Sequence, residues 1–195
     1  FLSGDRCALI LGDNIFFGHG LNNLLEETVN AQRGATIFGY WVPDPERFGV
    51  VEFDGKGGIA NLEEKPDRPL SHYAITGLYI YDNRAVDFAA ELQPSRRGEL
   101  EITDVNRRYL EIGELHAHRL ERGFAWLDAG TPDALLDAAN YIGTIERRQG
   151  LKIACVEEIA WRLGWIDDSE LAVLVNRAGR NGYGDYLRDI LEQGR

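Results

Sequence analysis

Cys7-Ala8-Leu9-Ile10-Leu11 runs without a break into Gly12-Asp13-Asn14. Five apolar residues without alternation predict a strand covered on both faces, as in the parallel sheets of α/β proteins. Such sheets take ligands at the carboxyl ends of their strands, so Asp13 stands where a site is expected. On this stretch alone an Asp after a strand is more commonly a helix cap or turn residue.

Outward from this stretch, Ile15-Phe16-Phe17-Gly18-His19-Gly20 reads as turn-rich. Leu21, Leu24, Leu25 and Val29 then recur at helical spacing, predicting a helix that runs up to Gln32 and is ended by Gly34. Residues 35–42 form a β-branched and aromatic run stopped by Pro43-Asp44-Pro45. Strand, helix and strand in succession imply a βαβ unit and a parallel sheet. Residues 48–53 and 59–64 flank Asp54-Gly55-Lys56-Gly57-Gly58, an antiparallel hairpin that makes the sheet mixed. A further strand, 73–81, is interrupted by Gly77, which allows a bulge or the close approach of a ligand.

Helices are predicted through Leu92 and over 103–112, with Val105, Tyr109 and Ile112 on one side. Strands follow over 115–120 and 124–128, the second ending in Asp128 as the first apolar run ends in Asp13. Thr131-Pro132-Asp133 starts a long helix, with Thr131 as cap, whose apolar face is Leu135, Leu136, Ala139, Ile142 and Ile145. Three short helices complete the chain. The expected fold is α/β, a Rossmann-like mixed and mostly parallel sheet flanked by helices. Residues 1–195 are expected to be one domain, with a sheet core over 1–150 and a helical appendage over 151–195.

A net charge of −11 over 195 residues, with no basic stripe, argues against a nucleic-acid partner. No run approaches a membrane span, and the opening residues lack the pattern of a signal peptide, so a cytoplasmic protein is expected. Cys7 and Cys155 lack metal-ligand spacing and read as free thiols. His116 and His118 share a strand face, but without further ligands nearby they point to packing rather than zinc. The sequence contains no Met and opens on Phe1, and it is expected to be a fragment.

If the strands ending in Asp13 and Asp128 are neighbours, their carboxylates converge. Two carboxylates with few other ligands suit Mg²⁺, which keeps waters and takes further oxygens from substrate phosphates. Paired carboxylates also serve glycoside hydrolysis. Lys65, at a strand end before Pro66, can meet a phosphate as a compact charge, with Glu64 accepting hydrogen bonds from sugar hydroxyls; in most proteins such a pair is a surface charge pair.

Leu11-Gly12-Asp13-Asn14, Phe48-Gly49-Val50-Val51, Glu63-Glu64-Lys65-Pro66, Thr76-Gly77-Leu78-Tyr79, the run from Arg97 to Asn106, and Trp126-Leu127-Asp128-Ala129-Gly130-Thr131 together resemble the sugar nucleotidyltransferases. Within that family, Ala154-Cys155-Val156-Glu157-Glu158-Ile159-Ala160 and Asn181-Gly182-Tyr183-Gly184-Asp185-Tyr186-Leu187 are similar to the glucose-1-phosphate thymidylyltransferase branch. The resemblance implies that Asp13 and Asp128 hold Mg²⁺. It implies that Glu64 binds sugar hydroxyls, that Lys65 and Arg97 bind the sugar phosphate, and that Gly49, Ile75 and Tyr79 line the pocket. The implied reaction is attack of glucose 1-phosphate on the α-phosphorus of dTTP, releasing pyrophosphate, for dTDP-sugar (dTDP-rhamnose) synthesis.

The resemblance further implies a homotetramer with a regulatory nucleotide site at Gly18, Glu158, Ile159, Ala160 and Arg162, although Asn22 and Asn23 replace the family's usual His and Glu. The family's glycine-rich triphosphate loop, G-x-G-T-R-L, has no counterpart in the sequence, nor have its base-reading residues. The amino-terminal strands of the fold are therefore expected to be missing, an apolar sheet edge left open, and the chain alone inactive. Uridylyl or cytidylyl transfer, a regulatory or structural module of the same fold, and a metal-dependent glycosyltransferase are the alternatives. The last commonly carries Asp-x-Asp, which Asp13-Asn14-Ile15 does not supply.

Overall fold

The computed structural model describes residues 2–30 and 33–194. Its sheet is built around one long strand, β6 (Tyr73–Tyr81), in which every residue after Tyr73 is buried. Such a run fits only a strand with neighbours on both edges and layers on both faces. In chain order the other strands are β1 (Cys7–Ile10), β2 (Asn14–Gly18), β3 (Ala35–Trp41), β4 (Gly49–Phe53), β5 (Ile59–Glu64), β7 (Leu115–Leu120) and β8 (Phe124–Asp128). The sheet order is β5-β4-β6-β3-β7, with β1 also paired to β6, while β2 and β8 form a separate two-stranded ribbon. The helices are α1 (Leu21–Val29), α2 (Ala85–Ala90), α3 (Ile102–Glu111), α4 (Pro132–Gln149), α5 (Val156–Arg162), α6 (Asp168–Ala178) and α7 (Gly182–Gln193).

The sheet is mixed, as expected, but it is not mostly parallel: β3 with β7 is the one parallel pair among the described strands. The physical reason is the placement of β6. β1 and β3 run in the same direction, as a βαβ unit requires, yet β6 lies between them and is antiparallel to both. Nor is β1 covered on both faces. Leu9, Ile10 and Leu11 are exposed, because β1 has only β6 beside it.

On one face of the sheet Ile37, Val51, Ile75, Tyr79 and Tyr81 pack with Val105 and Tyr109 of α3. On the other, Phe38, Leu78, Ile80 and Leu120 pack with Phe16 of β2 and Leu24 and Leu25 of α1. The stretch read as turn-rich is therefore partly a strand, since Ile15, Phe16 and Phe17 pair with β8. The expected end of α1 at Gln32 lies outside the described residues. Ile112, Leu135 and Leu136, placed on apolar helix faces from their spacing, are exposed. Thr131 caps α4 as expected, its hydroxyl accepting from the Ala134 amide at 3.2 Å.

The chain falls into two compact units, Phe1–Leu135 and Leu136–Arg195. The second has its own core of Cys155, Trp161, Leu171, Val175, Leu187 and Ile190. Helix α6 is held at its start by a capping box between Asp167 and Glu170. Cys7 and Cys155 are free thiols.

Candidate active site

β2 and β8 pair antiparallel with Asn14 opposite Asp128, and the Ala129 amide donates to the Asp13 carbonyl at 2.8 Å. The two carboxylates therefore meet through this ribbon, not as ends of neighbouring strands of the main sheet. They converge on Gly130. A Cβ built there would lie 3.1 Å from Asp128 Oδ1 and 3.3 Å from Asp13 Oδ2, so a side chain at this position would sit between the two. The Gly130 amide donates to Asp128 Oδ1 at 3.2 Å.

The other wall comes from the β4–β5 hairpin. Gly49 stands opposite Glu64 across the pair, and a Cβ on Gly49 would come within 2.9 Å of Thr103 Oγ1 and 3.0 Å of Glu64 Oε2. The missing side chain leaves room for the hydrogen bond that the buried Thr103 hydroxyl donates to Glu64 Oε2 at 2.5 Å. Arg97 Nη1 is 3.8 Å from Glu64 Oε1 and also pairs with Glu101, while its Nη2 pairs with Glu99. Lys65, next along, has a φ of 42°, in the left-handed region that a residue before proline rarely enters. Its amide donates to the Phe48 carbonyl at 3.0 Å, which ties the turn to the start of β4.

Between these walls is a cavity of about 220 Å³. Seven of the residues expected at a site line it: Asp13, Gly49, Glu64, Lys65, Ile75, Tyr79 and Asp128. Arg97 does not line it and reaches it only through Glu64. Burial, and behind it the Glu64 carboxylate, push the Tyr79 phenol upward, so Tyr79 stays protonated and uncharged. Sequence reading missed Leu11, Asn14, Arg47, Phe48, Ile102, Thr103 and Trp126 as lining residues. Asn14, Phe48, Thr103 and Trp126 stood inside the quoted motifs, beside residues that were picked; Arg47, before Phe48, had no signal beyond that adjacency.

Gly77 falls where β3 and β6 shift register, so it marks a bulge. What approaches it closely is protein, for a Cβ there would lie 2.7 Å from the Asn14 side chain. Gly18 ends β2 in the first unit, where a Cβ would strike the Phe124 ring. Glu158, Ile159, Ala160 and Arg162 stand on α5 in the second unit. There Glu158 accepts from Arg162 Nε at 2.7 Å and from the Tyr186 hydroxyl.

Among the described residues no three His, Cys, Asp or Glu side chains cluster as a metal cage. Two carboxylates about an unfilled glycine position nevertheless fit a hard cation that keeps its waters and binds phosphate oxygens, as Mg²⁺ does.

The family model for nucleotidyl transferases matches residues 1–144, and the chain belongs to that family. Among curated relatives it is 54% identical over 194 residues to a glucose-1-phosphate thymidylyltransferase of Xanthomonas campestris pv. campestris, covering 100% of this chain and 66% of the relative. It is 52% identical over 192 residues to the protein of that name in Mycolicibacterium smegmatis, covering 98% of this chain and 66% of the relative. A crystal structure from Bacillus anthracis assigned to the same group, in complex with sucrose, superposes with a TM-score of 0.64 at 43% identity, over 72% of this chain and 56% of the other. UDP-glucose pyrophosphorylase, at 22% identity and a TM-score of 0.62 over 72% of this chain and 56% of that one, shares the fold. The chain thus spans about two thirds of the length of the curated relatives it matches.

Proposed function

We propose that this chain is the sugar-phosphate and metal-binding part of a glucose-1-phosphate thymidylyltransferase, which transfers a thymidylyl group from dTTP to glucose 1-phosphate and releases pyrophosphate. The observation that carries the reading is the single cavity with Glu64 and Gly49 on one wall, Lys65 beside them, and Asp13 and Asp128 opposite. Glu64, braced by the Thr103 hydroxyl, accepts hydrogen bonds from sugar hydroxyls. Lys65 binds the sugar phosphate and orients its oxygen for in-line attack, and Arg97 approaches the same phosphate through its contact with Glu64. Tyr79 packs beneath the sugar as a neutral phenol. Mg²⁺ held by Asp13 and Asp128 would supply charge neutralisation on the reacting phosphates. Phosphoryl-group chemistry of this kind rests on positioning and electrostatics and needs no covalent nucleophile.

The reading extends to a homotetramer in the cytoplasm, with a regulatory nucleotide site whose candidate residues in the second unit are Glu158, Ile159, Ala160 and Arg162. Support for it is the similarity to the thymidylyltransferases; no helix among the described residues is long and apolar enough to cross a membrane. Since the sequence contains no G-x-G-T-R-L loop, the 195-residue chain by itself is expected not to bind dTTP productively.

The test is pyrophosphate release from glucose 1-phosphate and dTTP with Mg²⁺, measured on this chain and on one completed to the length of its relatives. Turnover by the completed chain alone, with dTTP preferred over UTP and CTP, supports the proposal. A preference for UTP or CTP assigns another nucleotidyl donor. A completed chain that folds but shows no turnover removes the enzymatic reading.

A further inference from the structure

Asn14 is absorbed by no part of the proposed mechanism, yet its side chain bonds two other segments and the neighbouring Asp13. Its Oδ1 accepts from the Gly77 amide of β6 at 3.0 Å and from Trp126 Nε1 of β8 at 2.6 Å. An amide oxygen has two lone pairs, so both are taken. The Nδ2 end is thereby fixed toward Asp13, and it donates to Asp13 Oδ1 at 2.9 Å. This leaves Asp13 Oδ2 as the oxygen that faces Asp128 Oδ1 across the Gly130 position.

The donors that orient the amide are themselves held. Trp126 is buried, and its ring meets Phe48 and Tyr40 edge to face, at centroid distances of 5.1 and 5.9 Å. Gly77 has no alternative at its position, because a Cβ would lie 2.7 Å from the Asn14 amide. The flip of Asn14 is therefore set by these two donors, and its N–H direction follows from them.

We propose that Asn14 is a positioning residue for Asp13. By holding Oδ1 with a directed N–H, it presents Oδ2 toward Asp128 and prepares the pair for a divalent cation before substrate arrives. Partners that orient a metal-binding carboxylate in this way are worth about 10- to 100-fold in metal affinity. The inference rests on the reading that Asp13 and Asp128 hold the metal, and the experiment separates the two.

Mn²⁺, which takes the same oxygen ligands, is titrated into the 195-residue chain and its affinity read from water-proton relaxation, without substrate or turnover. Asn14→Ala is expected to weaken Mn²⁺ binding about 10- to 100-fold, and to cause no further loss when combined with Asp13→Asn. A merely structural role would lower the melting temperature without that coupling. A loss from Asn14→Ala that persists undiminished in the Asp13→Asn background overturns the proposal, as does no loss when Asp13→Asn alone weakens binding. If Asp13→Asn leaves the affinity unchanged, the metal reading falls and the proposal with it.

A second measurement covers a variant that fails to fold. In a ¹⁵N spectrum of the unsubstituted chain, the Asn14 side-chain amide should shift when Mg²⁺ is added, and Asp13→Asn should abolish the shift. An unmoved resonance, where Asp13→Asn has removed Mn²⁺ affinity, overturns the inference.

Discussion

Lys65 holds a left-handed backbone conformation directly before Pro66. A non-glycine residue there costs about 1 to 2 kcal/mol, and strain of this sort persists where the surroundings over-determine it. Here the hydrogen bond from the Lys65 amide to the Phe48 carbonyl does so, against the extended preference that Pro66 imposes. The strain and the pocket coincide at this residue, which fits a cation held for substrate rather than for stability. Lys65→Gly relieves the backbone but adds about 0.5 to 1 kcal/mol of glycine entropy. Its unfolding free energy, measured with urea, should accordingly match the parent within about 1 kcal/mol, while the completed enzyme loses turnover. A drop well beyond that would make the Lys65 side chain structural. Lys65 was legible as a candidate from the motif around it, and it does line the cavity, but its φ was not legible, because local sequence predicts extended backbone before proline.

At the scale of elements, one buried carboxylate ties four of them together. Asp82, just after β6, accepts from the Gly34 amide at 2.9 Å before β3, and from the Tyr109 hydroxyl of α3 at 2.7 Å. Arg84 bonds the same carboxylate and also pairs with Glu114, which precedes β7. Burial pushes the Asp82 carboxyl up, but the bonds from Arg84, Tyr109 and the two backbone amides outweigh it and hold the group well below the usual carboxylate range. A folded pKa below the unfolded value of about 3.9 means that the stabilisation is complete above that pH and is lost as pH falls toward the folded pKa. Melting temperatures should therefore fall steeply below about pH 4, and Asp82→Asn should flatten that slope at a cost in stability near neutral pH. An unchanged slope would assign acid unfolding to other carboxylates. The elements themselves were largely legible: β7, β8, α3 and α4 stand within a residue of where their periodicity put them. β2 was not, since three apolar residues among glycines become a strand only by pairing with a segment more than a hundred residues away.

For the whole molecule, the flank of β1 is the exposed apolar edge. Leu9, Ile10 and Leu11 are exposed, and an apolar edge strand is a template for pairing with another chain. A net charge of −11 opposes association at long range but is screened at physiological salt. Light scattering of the chain should therefore rise with salt, and Ile10→Lys, which places a cation on that edge, should suppress the rise. Association that persists in Ile10→Lys would place the contact elsewhere.

What sequence alone determined is which residues are candidates: Asp13, Glu64, Lys65 and Asp128 follow from strand ends and motif order, which are local properties of the chain, and all four line one cavity. The apolar run at 7–11 also sufficed to announce a sheet. Tertiary structure decided how those residues meet. The wedge of β6 between β1 and β3 sets the strand sense, and the ribbon of β2 with β8 brings the carboxylates together. The Asn14 amide then chooses which carboxylate oxygen faces inward. Pairing partner, register and side-chain flip depend on atoms far apart in sequence, and periodicity carries no information about them.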